Sequence, residues 1–244
     1  MSLTGGLVSY WKLDESSGNA SDSVGSKTLT NTSATYSSGV INKGAVFNGS
    51  AYLTNTSTFF ADASGSISIW FKTSISGTPG TCIFSQSITT ANTRFVIFPS
   101  TASNGDVYFD ITVSGIQQLT FYTTGLSLAD GNWHHLVITM DSGGNKIYKD
   151  GVQVVSGTTY QVGTSATQKW FSAFTANHLD IGATNYNNAG YISKFNGSVD
   201  EVGVWNRSLT ADEVSKLYSA GRGLTYPFLP TNISFRPGSL GSML

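Results

Sequence analysis

The sequence predicts an all-β protein, a sandwich of two antiparallel sheets with one short C-terminal helix. Apolar and polar residues alternate through many short segments, as expected of strands that bury one face. In the segment 66–72, for example, Ile67, Ile69 and Phe71 fall on the same face. Turn residues separate these segments and no helical periods lie between them, which favours a sandwich over a parallel sheet.

The predicted strands share this alternation and are bounded by turn residues. They are Leu7–Leu13, Ser66–Lys72, Arg94–Phe98, Val107–Val113, Gln117–Tyr122, Trp133–Met140, Lys146–Lys149, Val152–Val155, Leu179–Ile181 and Val199–Trp205. Asp150 and Gly151 predict a tight type I′ hairpin, because both residue types tolerate positive φ. Since Trp70, Trp133 and Trp205 lie in patterned strands, we expect all three in the core between the sheets.

The helix is predicted where Thr210 and Glu213 have the spacing of a capping box. Leu209 and Val214 are placed to form a hydrophobic staple across its first turn. Gly221 then supplies a residue type that commonly terminates helices.

The composition excludes several classes of partner. The chain has 13 basic and 14 acidic residues, a net charge of −1, and no basic block that could follow a phosphate backbone. We therefore expect no nucleic acid partner. No run of about 18 apolar residues occurs, so no membrane span is expected. Cys82 is the only cysteine, and its apolar neighbours indicate a buried thiol.

Several motifs follow one another along the chain in the order seen in one known family. They are GLVSYWKLDESSG at 6–18, GAVFNG at 44–49, DGNWHHLV at 130–137, KDG at 149–151 and FNGSVDEVGVWNRSLT at 195–210. Together they resemble a bacterial or phage laminin G-like domain of the concanavalin A-like lectin/glucanase superfamily. The resemblance covers about residues 6–222 and implies a two-sheet jelly roll.

This resemblance implies a choice of functions, because members of the family include glycan-binding modules, adhesion modules and virion components. We expect a non-catalytic, surface-exposed module for binding or adhesion that recognises glycans or cell-surface polysaccharide. The alternative is a structural virion protein, such as a capsid decoration or a tail component. The functions that the resemblance implies act outside cells, so we expect either an extracellular location or a virion surface. No secretory signal is visible.

A divergent glycosidase is the least favoured reading. Glycosidases of the superfamily need paired carboxylates, and the chain has no Glu-x-Asp-x-x-Glu pattern. Asp106 and Asp110 share a strand face, but their backbones are ~13 Å apart, beyond the ~5–9.5 Å between glycosidase carboxyl groups. Asp200 and Glu201 are adjacent in a predicted strand and should point to opposite faces. We therefore expect no catalysis.

Glycan-binding candidates cluster in one aromatic stretch that is interleaved with asparagines. They are Trp170, Tyr186, Asn187, Asn188 and Tyr191. Sugar sites combine an aromatic platform with a few placed polar groups, and this stretch has both. The other interpretation is that the aromatic side chains anchor a long loop on the sandwich or form an interface between copies.

Calcium is the one cofactor that the resemblance suggests, because related sandwiches often hold an ion at a sheet edge through oxygen ligands. Asp22, in a turn, and Asp200, in the last predicted strand, are the candidate ligands. The other interpretation is that Asp22 caps its turn and Asp200 accepts hydrogen bonds from backbone amides.

The last residues have a different character from the rest of the chain. Residues 1–223 are predicted to form the sandwich and residues 224–244 an extended tail. The tail contains Tyr226 and Phe228 and is too apolar for a solvated linker, while its prolines prevent a continuous helix. We expect it to lie along its own sandwich or to contact another copy of the chain or a capsid or tail protein.

Overall fold

The computed structural model describes residues 2–57, 59–75, 80–99 and 106–229. Within these ranges the chain forms antiparallel strands and one α-helix, α1, over Ala211–Tyr218. The strands are β1 (Leu7–Trp11), β2 (Thr30–Thr32), β3 (Thr35–Ser38), β4 (Lys43–Asn48), β5 (Tyr52–Asn55), β6 (Gly65–Lys72), β7 (Phe84–Ile88), β8 (Thr93–Pro99), β9 (Val107–Val113), β10 (Ile116–Thr123), β11 (Trp133–Asp141), β12 (Gly144–Lys149), β13 (Val152–Gln153), β14 (Thr158–Val162), β15 (His178–Ile181), β16 (Thr184–Asn185), β17 (Tyr191–Ile192) and β18 (Asn196–Trp205).

The strands assemble into two large sheets, which confirms the predicted antiparallel sandwich. The first sheet has the order β13-β12-β11-β6-β18-β4-β3, and β1 also pairs with β18. The second has the order β14-β10-β9-β8-β7-β15-β5-β2. β16 and β17 pair with each other as a small separate ribbon.

The main core lies between the two sheets and is built from alternate residues of their strands. From β6 it receives Ile67, Ile69 and Phe71, as the alternation predicts, and from β8 it receives Phe95 and Ile97. A hairpin at one sheet edge is also as predicted, because Asp150 and Gly151 have φ values of 49° and 80°.

The tryptophans of the patterned strands do not lie in this core, so that prediction was wrong. Trp70 and Trp205 are buried on the opposite face of the first sheet. There Trp70 stacks on His135, with 5.0 Å between ring centroids, and on Tyr218, at 5.6 Å. Trp133 is partly exposed. The helix covers the outer face, so the first sheet buries apolar side chains on both sides.

Helix α1 begins as the sequence predicts. The Thr210 hydroxyl accepts a hydrogen bond from the Glu213 amide, and the Glu213 carboxylate accepts one from the Thr210 amide at 2.9 Å. Leu209 and Val214 both join the second apolar cluster. The helix ends earlier than predicted, because Ser219 adopts the left-handed conformation two residues before Gly221. In the described residues, no helix is both long and apolar enough to cross a membrane.

The first part of the predicted tail lies on the same outer face. Leu224, Tyr226 and Phe228 pack against the second apolar cluster. The Phe228 ring is edge-on to Tyr10, with 5.3 Å between centroids, and 6.3 Å from the ring of Trp205. These contacts fit the expectation that the tail follows its own sandwich. Residues 230–244 lie outside the described residues, and the boundary at 223/224 stays a prediction.

His135 is enclosed between the first sheet and the helix. Its Nε2 lies 2.8 Å from the Ser68 hydroxyl, and no solvent reaches its ring. Burial lowers the pKa of His135 to about 3, because the charged form would lose its hydration.

We predict that Trp205→Ala lowers the free energy of unfolding by about 3–5 kcal/mol, as for other buried tryptophans. Trp133→Ala is the control, and it should cost much less because its ring is already partly exposed. Urea denaturation of both variants measures the difference. Equal losses would contradict the assignment of the two faces.

We also predict that His135 makes the fold sensitive to acid. The unfolded chain binds a proton near pH 6.5 and the native chain only near pH 3, so stability is lost as the pH falls through this window. Between pH 6.5 and 5 the loss is at most about 2 kcal/mol. His135→Gln should remove this part of the pH dependence in urea titrations, whereas His178→Gln, at a less buried histidine, should remove less of it. An unchanged slope in His135→Gln would contradict the prediction.

Candidate functional site

Trp170, one of the predicted glycan-binding residues, is buried in the main core. It is 1% exposed, and its ring centroid lies 5.1 Å from those of Phe95 and Phe171. A ring enclosed in this way has no face for a sugar, so this candidate was wrong. Trp170 instead anchors the long segment before β15 on the sandwich, which was the other interpretation of the aromatic stretch.

The other four candidates lie on or beside the β16–β17 ribbon. Asn187 and Asn188 are exposed and form the turn, with φ values of 55° and 58°. Their amides donate to the carbonyls of Ala91 at 3.0 Å and Thr89 at 2.6 Å. The turn of the ribbon is therefore fastened to the turn between β7 and β8.

Tyr191 is only partly exposed and lies opposite Asn185 in the ribbon, next to the turn. Its ring stacks on Tyr52 with 3.8 Å between centroids, and its hydroxyl donates to Thr54 at 3.2 Å. Thr54 in turn donates to Asp180 at 2.6 Å. Burial raises the pKa of Asp180 to about 7, so this carboxyl serves a buried network rather than an open surface.

The ribbon crosses the outer face of the second sheet. Two hydroxyls of β7 fix it there, because Ser85 donates to the carbonyl of Ala183 at 3.2 Å and Ser87 donates to that of Asn185 at 2.7 Å. Beyond the ribbon, the outward residues of β8, β9 and β10 form the rest of this face. From the sequence, this region was considered only for Asp106 and Asp110, a carboxylate pair too far apart for a glycosidase.

An ion pair forms the floor of the face beside the ribbon. Arg94 Nε lies 2.8 Å from Asp110 Oδ2, and Asp110 is fully buried. The carboxylate also accepts hydrogen bonds from Thr112 at 2.9 Å, Thr120 at 2.7 Å and Gln117 at 3.3 Å. Three hydrogen-bond donors and the guanidinium of the ion pair thus surround Asp110, as a buried charge requires.

Aromatic side chains border this pair. The Arg94 guanidinium lies 4.6 Å from the centroid of the Tyr186 ring, within the range of a cation–π contact. Tyr108 stacks on Phe98 at 5.9 Å, and burial beside Asp110 raises the pKa of its hydroxyl to about 12. Tyr108 and Tyr186 remain partly exposed.

We name these five residues, Arg94, Tyr108, Asp110, Gln117 and Tyr186, the Arg94 cluster. It combines two tyrosine rings with a partly exposed arginine side chain on paired strands, an apolar surface beside a few placed polar groups. Among the described residues, Arg94 Nη2 has no hydrogen-bond partner, and 16% of the side chain is exposed. Of the sequence candidates, only Tyr186 belongs to the cluster. The sequence signal that could have located this cluster is a single charged residue at an outward position in each of two otherwise uncharged strands, Arg94 in β8 and Asp110 in β9.

The structure overturns one argument made against catalysis. A bulge in β18 between Asp200 and Gly203 leaves Glu201 with φ of 48°. Val199 and Val202 both point into the main core, so Asp200 and Glu201 share the outer face rather than opposite faces. Both carboxyls are nevertheless buried, at 0% and 2% exposure, so this pair cannot reach a substrate.

Asp22, a calcium candidate, has a full set of backbone partners. Its Oδ1 accepts hydrogen bonds from the amides of Tyr10 at 3.0 Å, Val24 at 3.1 Å and Gly25 at 2.9 Å, and its Oδ2 accepts one from Lys27 at 3.1 Å. Burial raises the pKa of Asp22, but these hydrogen bonds outweigh it and hold the pKa below its usual value.

Asp200, the second candidate, also accepts hydrogen bonds from amides, from Val40 at 2.8 Å, Ile41 at 3.1 Å and Glu201 at 2.9 Å. Burial raises its pKa to about 9, against the effect of these amides. A shared calcium ion would need lone pairs that these N–H groups already use. The described part of the chain holds no group of three or more His, Cys, Asp or Glu side chains suited to a metal. These backbone partners favour the other interpretation, in which Asp22 caps its turn and Asp200 accepts hydrogen bonds from amides, and calcium at this pair is an untested expectation.

Comparison with known families agrees with the two-sheet architecture. A laminin G-like family model, described as the concanavalin A-like lectin/glucanases superfamily, matches residues 43–215. The chain belongs to this family. No curated protein matches this laminin G-like domain in sequence.

Solved structures share the fold at low identity. Domain 4 of AbnA, an extracellular arabinanase from Geobacillus stearothermophilus, in complex with arabinotriose, is 22% identical, with a TM-score of 0.61 over 86% of this chain and 96% of that one. The binding domain of Paraclostridial Mosquitocidal Protein 1 is 13% identical, with a TM-score of 0.64 over 90% of this chain and 53% of that one. NanB sialidase from Streptococcus pneumoniae is 19% identical, with a TM-score of 0.56 over 70% of this chain but only 27% of the sialidase.

We predict that Asp22→Ala lowers the free energy of unfolding by about 1–3 kcal/mol, because the amides around it lose their acceptor. The loss should be the same in calcium and in chelator, measured by urea denaturation. Asp141→Ala is the control, since this carboxylate accepts a backbone hydrogen bond only within its own exposed turn. A loss confined to calcium-containing buffer would instead assign an ion to Asp22.

Proposed function

We propose that this laminin G-like domain is a non-catalytic module that binds glycans through the Arg94 cluster. The observation that carries the proposal is the partly exposed side chain of Arg94, which contacts the ring of Tyr186 and lies close enough to Tyr108 to affect its pKa, both tyrosines being partly exposed. Tyrosine rings pack against the apolar faces of sugars, and the guanidinium donates to sugar hydroxyls.

Rigidity supports the assignment to this face. The cluster lies on paired strands, and the hydrogen bonds of Asn187 and Asn188 fasten the ribbon that carries Tyr186. A preformed site loses little conformational entropy when it binds a ligand. The relative with bound arabinotriose shares this fold, which is compatible with the proposal.

Buried carboxyls support a role without catalysis. Asp110, Asp180, Asp200 and Glu201 are each at most 2% exposed and have hydrogen-bond donors within the protein. A glycosidase acid and its partner must reach both sides of the scissile bond, which these side chains do not.

A glycan-binding face serves adhesion equally well on a secreted protein and on the surface of a virion. The proposal therefore includes an extracellular or virion location. A purely structural role in a virion would leave the Arg94 cluster without a ligand, so the experiment below separates the two functions.

We predict that the domain binds a polysaccharide on a glycan array and that Tyr186→Ala weakens this binding about tenfold, equivalent to about 1.4 kcal/mol. The reason is the loss of one of the two tyrosine rings. Affinity electrophoresis or calorimetry measures the change. Lys146→Ala is the matched control, because Lys146 is exposed on the other sheet.

Three results would count against the proposal. Wild-type protein that binds no glycan on the array would contradict the function. Binding that survives Tyr186→Ala unchanged would move the site elsewhere. Release of reducing sugar from a bound polysaccharide would contradict the non-catalytic role.

A further inference from the structure

We infer that the Arg94 cluster selects neutral glycans and discriminates against acidic ones. This inference rests on the proposed function and adds the chemical class of its ligand. Its basis is the charge balance of the outer face around Arg94. This balance follows from the contacts of Arg94 and Asp110 and from the charged residues in the neighbouring strands.

The charge of Arg94 is already paired with Asp110 within the protein. An arginine that recognises a carboxylate needs its charge available to the ligand, usually through two parallel N–H groups. Here Nε already lies 2.8 Å from Asp110, and Nη1 donates to the Asn92 side chain at 2.5 Å. The positive charge is therefore compensated within the protein, and what remains at the surface is a hydrogen-bond donor.

Asp110 is held in a fixed position. The hydroxyls of Thr112 and Thr120 and the amide of Gln117 all donate to this carboxylate. It has no solvent exposure and cannot turn away to free Arg94 for a ligand. An incoming carboxylate at Arg94 would meet the negative charge of Asp110 directly behind it, and such like-charge contact disfavours the wrong ligand.

The surrounding face also contributes to the charge balance. Arg94 and Asp110 are the only Asp, Glu, Lys or Arg residues in β8, β9, β10 and the ribbon segment 184–192. Asp106, immediately before β9, has the same strand parity as Asp110 and is a second acidic residue beside it, with 6% of the residue exposed. The local balance is therefore neutral to negative, which suits hydroxyl-bearing sugars and repels polyanions.

Burial of the ion pair carries a cost that a simpler neutral site would avoid. Removing two charges from water is expensive, and apolar replacements of buried ion pairs are often neutral or stabilising. A guanidinium held rigidly by Asp110 gives two benefits, a fixed donor geometry for sugar hydroxyls and no net field. Both benefits serve the recognition of a neutral ligand.

The test compares a neutral and an acidic polysaccharide of the same sugar configuration and linkage, and then a second polymer of each class. β-1,4-Mannan and β-1,4-polymannuronate share their linkage and differ in oxidation at C6, and arabinan and polygalacturonate extend the two classes. Binding of each to immobilised wild-type protein is measured at low salt and in about 1 M NaCl, where the Debye length is about 3 Å. We expect binding to at least one neutral polymer, little dependence on salt, and at least tenfold weaker binding of the acidic polymers.

Asp110→Asn changes the selectivity if the inference holds. The amide keeps the shape of the side chain but leaves the charge of Arg94 uncompensated, so affinity for polymannuronate or polygalacturonate should rise about tenfold and fall again in about 1 M NaCl. Asp180→Asn is the matched control, because it removes another buried carboxyl of the same sheet without touching Arg94. The wild-type preference and its salt dependence test the inference even if Asp110→Asn fails to fold.

The outcomes separate the two claims. Wild-type protein that prefers the acidic polymers would overturn the inference and leave the glycan-binding function intact. A folded Asp110→Asn variant with unchanged selectivity would also overturn it. Absence of binding to all four polymers and to every glycan on the array would overturn the proposed function itself.

Discussion

The position of β18 at the centre of the first sheet is the constraint on which the rest of the structure depends. This strand pairs with β1, β4 and β6, so it joins residues from both ends of the chain. Its bulge turns Asp200 and Glu201 to one face while Val202 and Val204 stay in the core. A side chain at Gly203 would lie 2.6 Å from the ring of Trp205, so only glycine fits there.

The two carboxyls of the bulge organise what lies around them. Asp200 accepts hydrogen bonds from the amides of Val40 and Ile41 and so fixes the loop before β4. Glu201 accepts a hydrogen bond of 2.5 Å from the hydroxyl of Tyr10 in β1. Glu201 is 2% exposed, and this burial raises its pKa to about 7. The bulge thus couples a loop and a strand through groups that alternation alone would have separated.

The sequence predicted those elements whose signals are local. Strands such as β6 and β9 place an apolar residue at every second position, and the capping box at Thr210 needs only residues within one turn. Strands β2 and β3 were missed because they consist mostly of Ser, Thr and Asn, without a difference in hydropathy between their faces. The prediction for Trp70 and Trp205 was wrong because alternation separates the two faces of a strand but does not indicate that a helix buries the outer face.

The residues of the candidate site could be predicted only in part from local sequence signals. Tyr186 was found because aromatic residues interleaved with asparagine stand out along the chain, whereas Trp170 has the same local signal and lies in the core. Arg94 and Asp110 are 16 positions apart and meet only through the pairing of β8 with β9, in which Val96 lies opposite Asp110. Predicting this contact requires the pairing register of β8 and β9, which a single sequence does not provide.

The contacts around Trp205 determine where residues 2–5 and 224–228 lie relative to the Arg94 cluster. The Trp205 indole donates to the carbonyl of Leu3 at 2.7 Å, and Arg207 donates to those of Ser2 and Gly5, while Phe228 stacks on the same indole. Residues 2–5 and 224–228 therefore emerge together on the outer face of the first sheet, and the Arg94 cluster lies on the outer face of the second. A scaffold, tag or neighbouring domain joined directly to residues 2–5 would be held behind the sandwich, with the tyrosine-lined face directed away from it and open to a surface opposite.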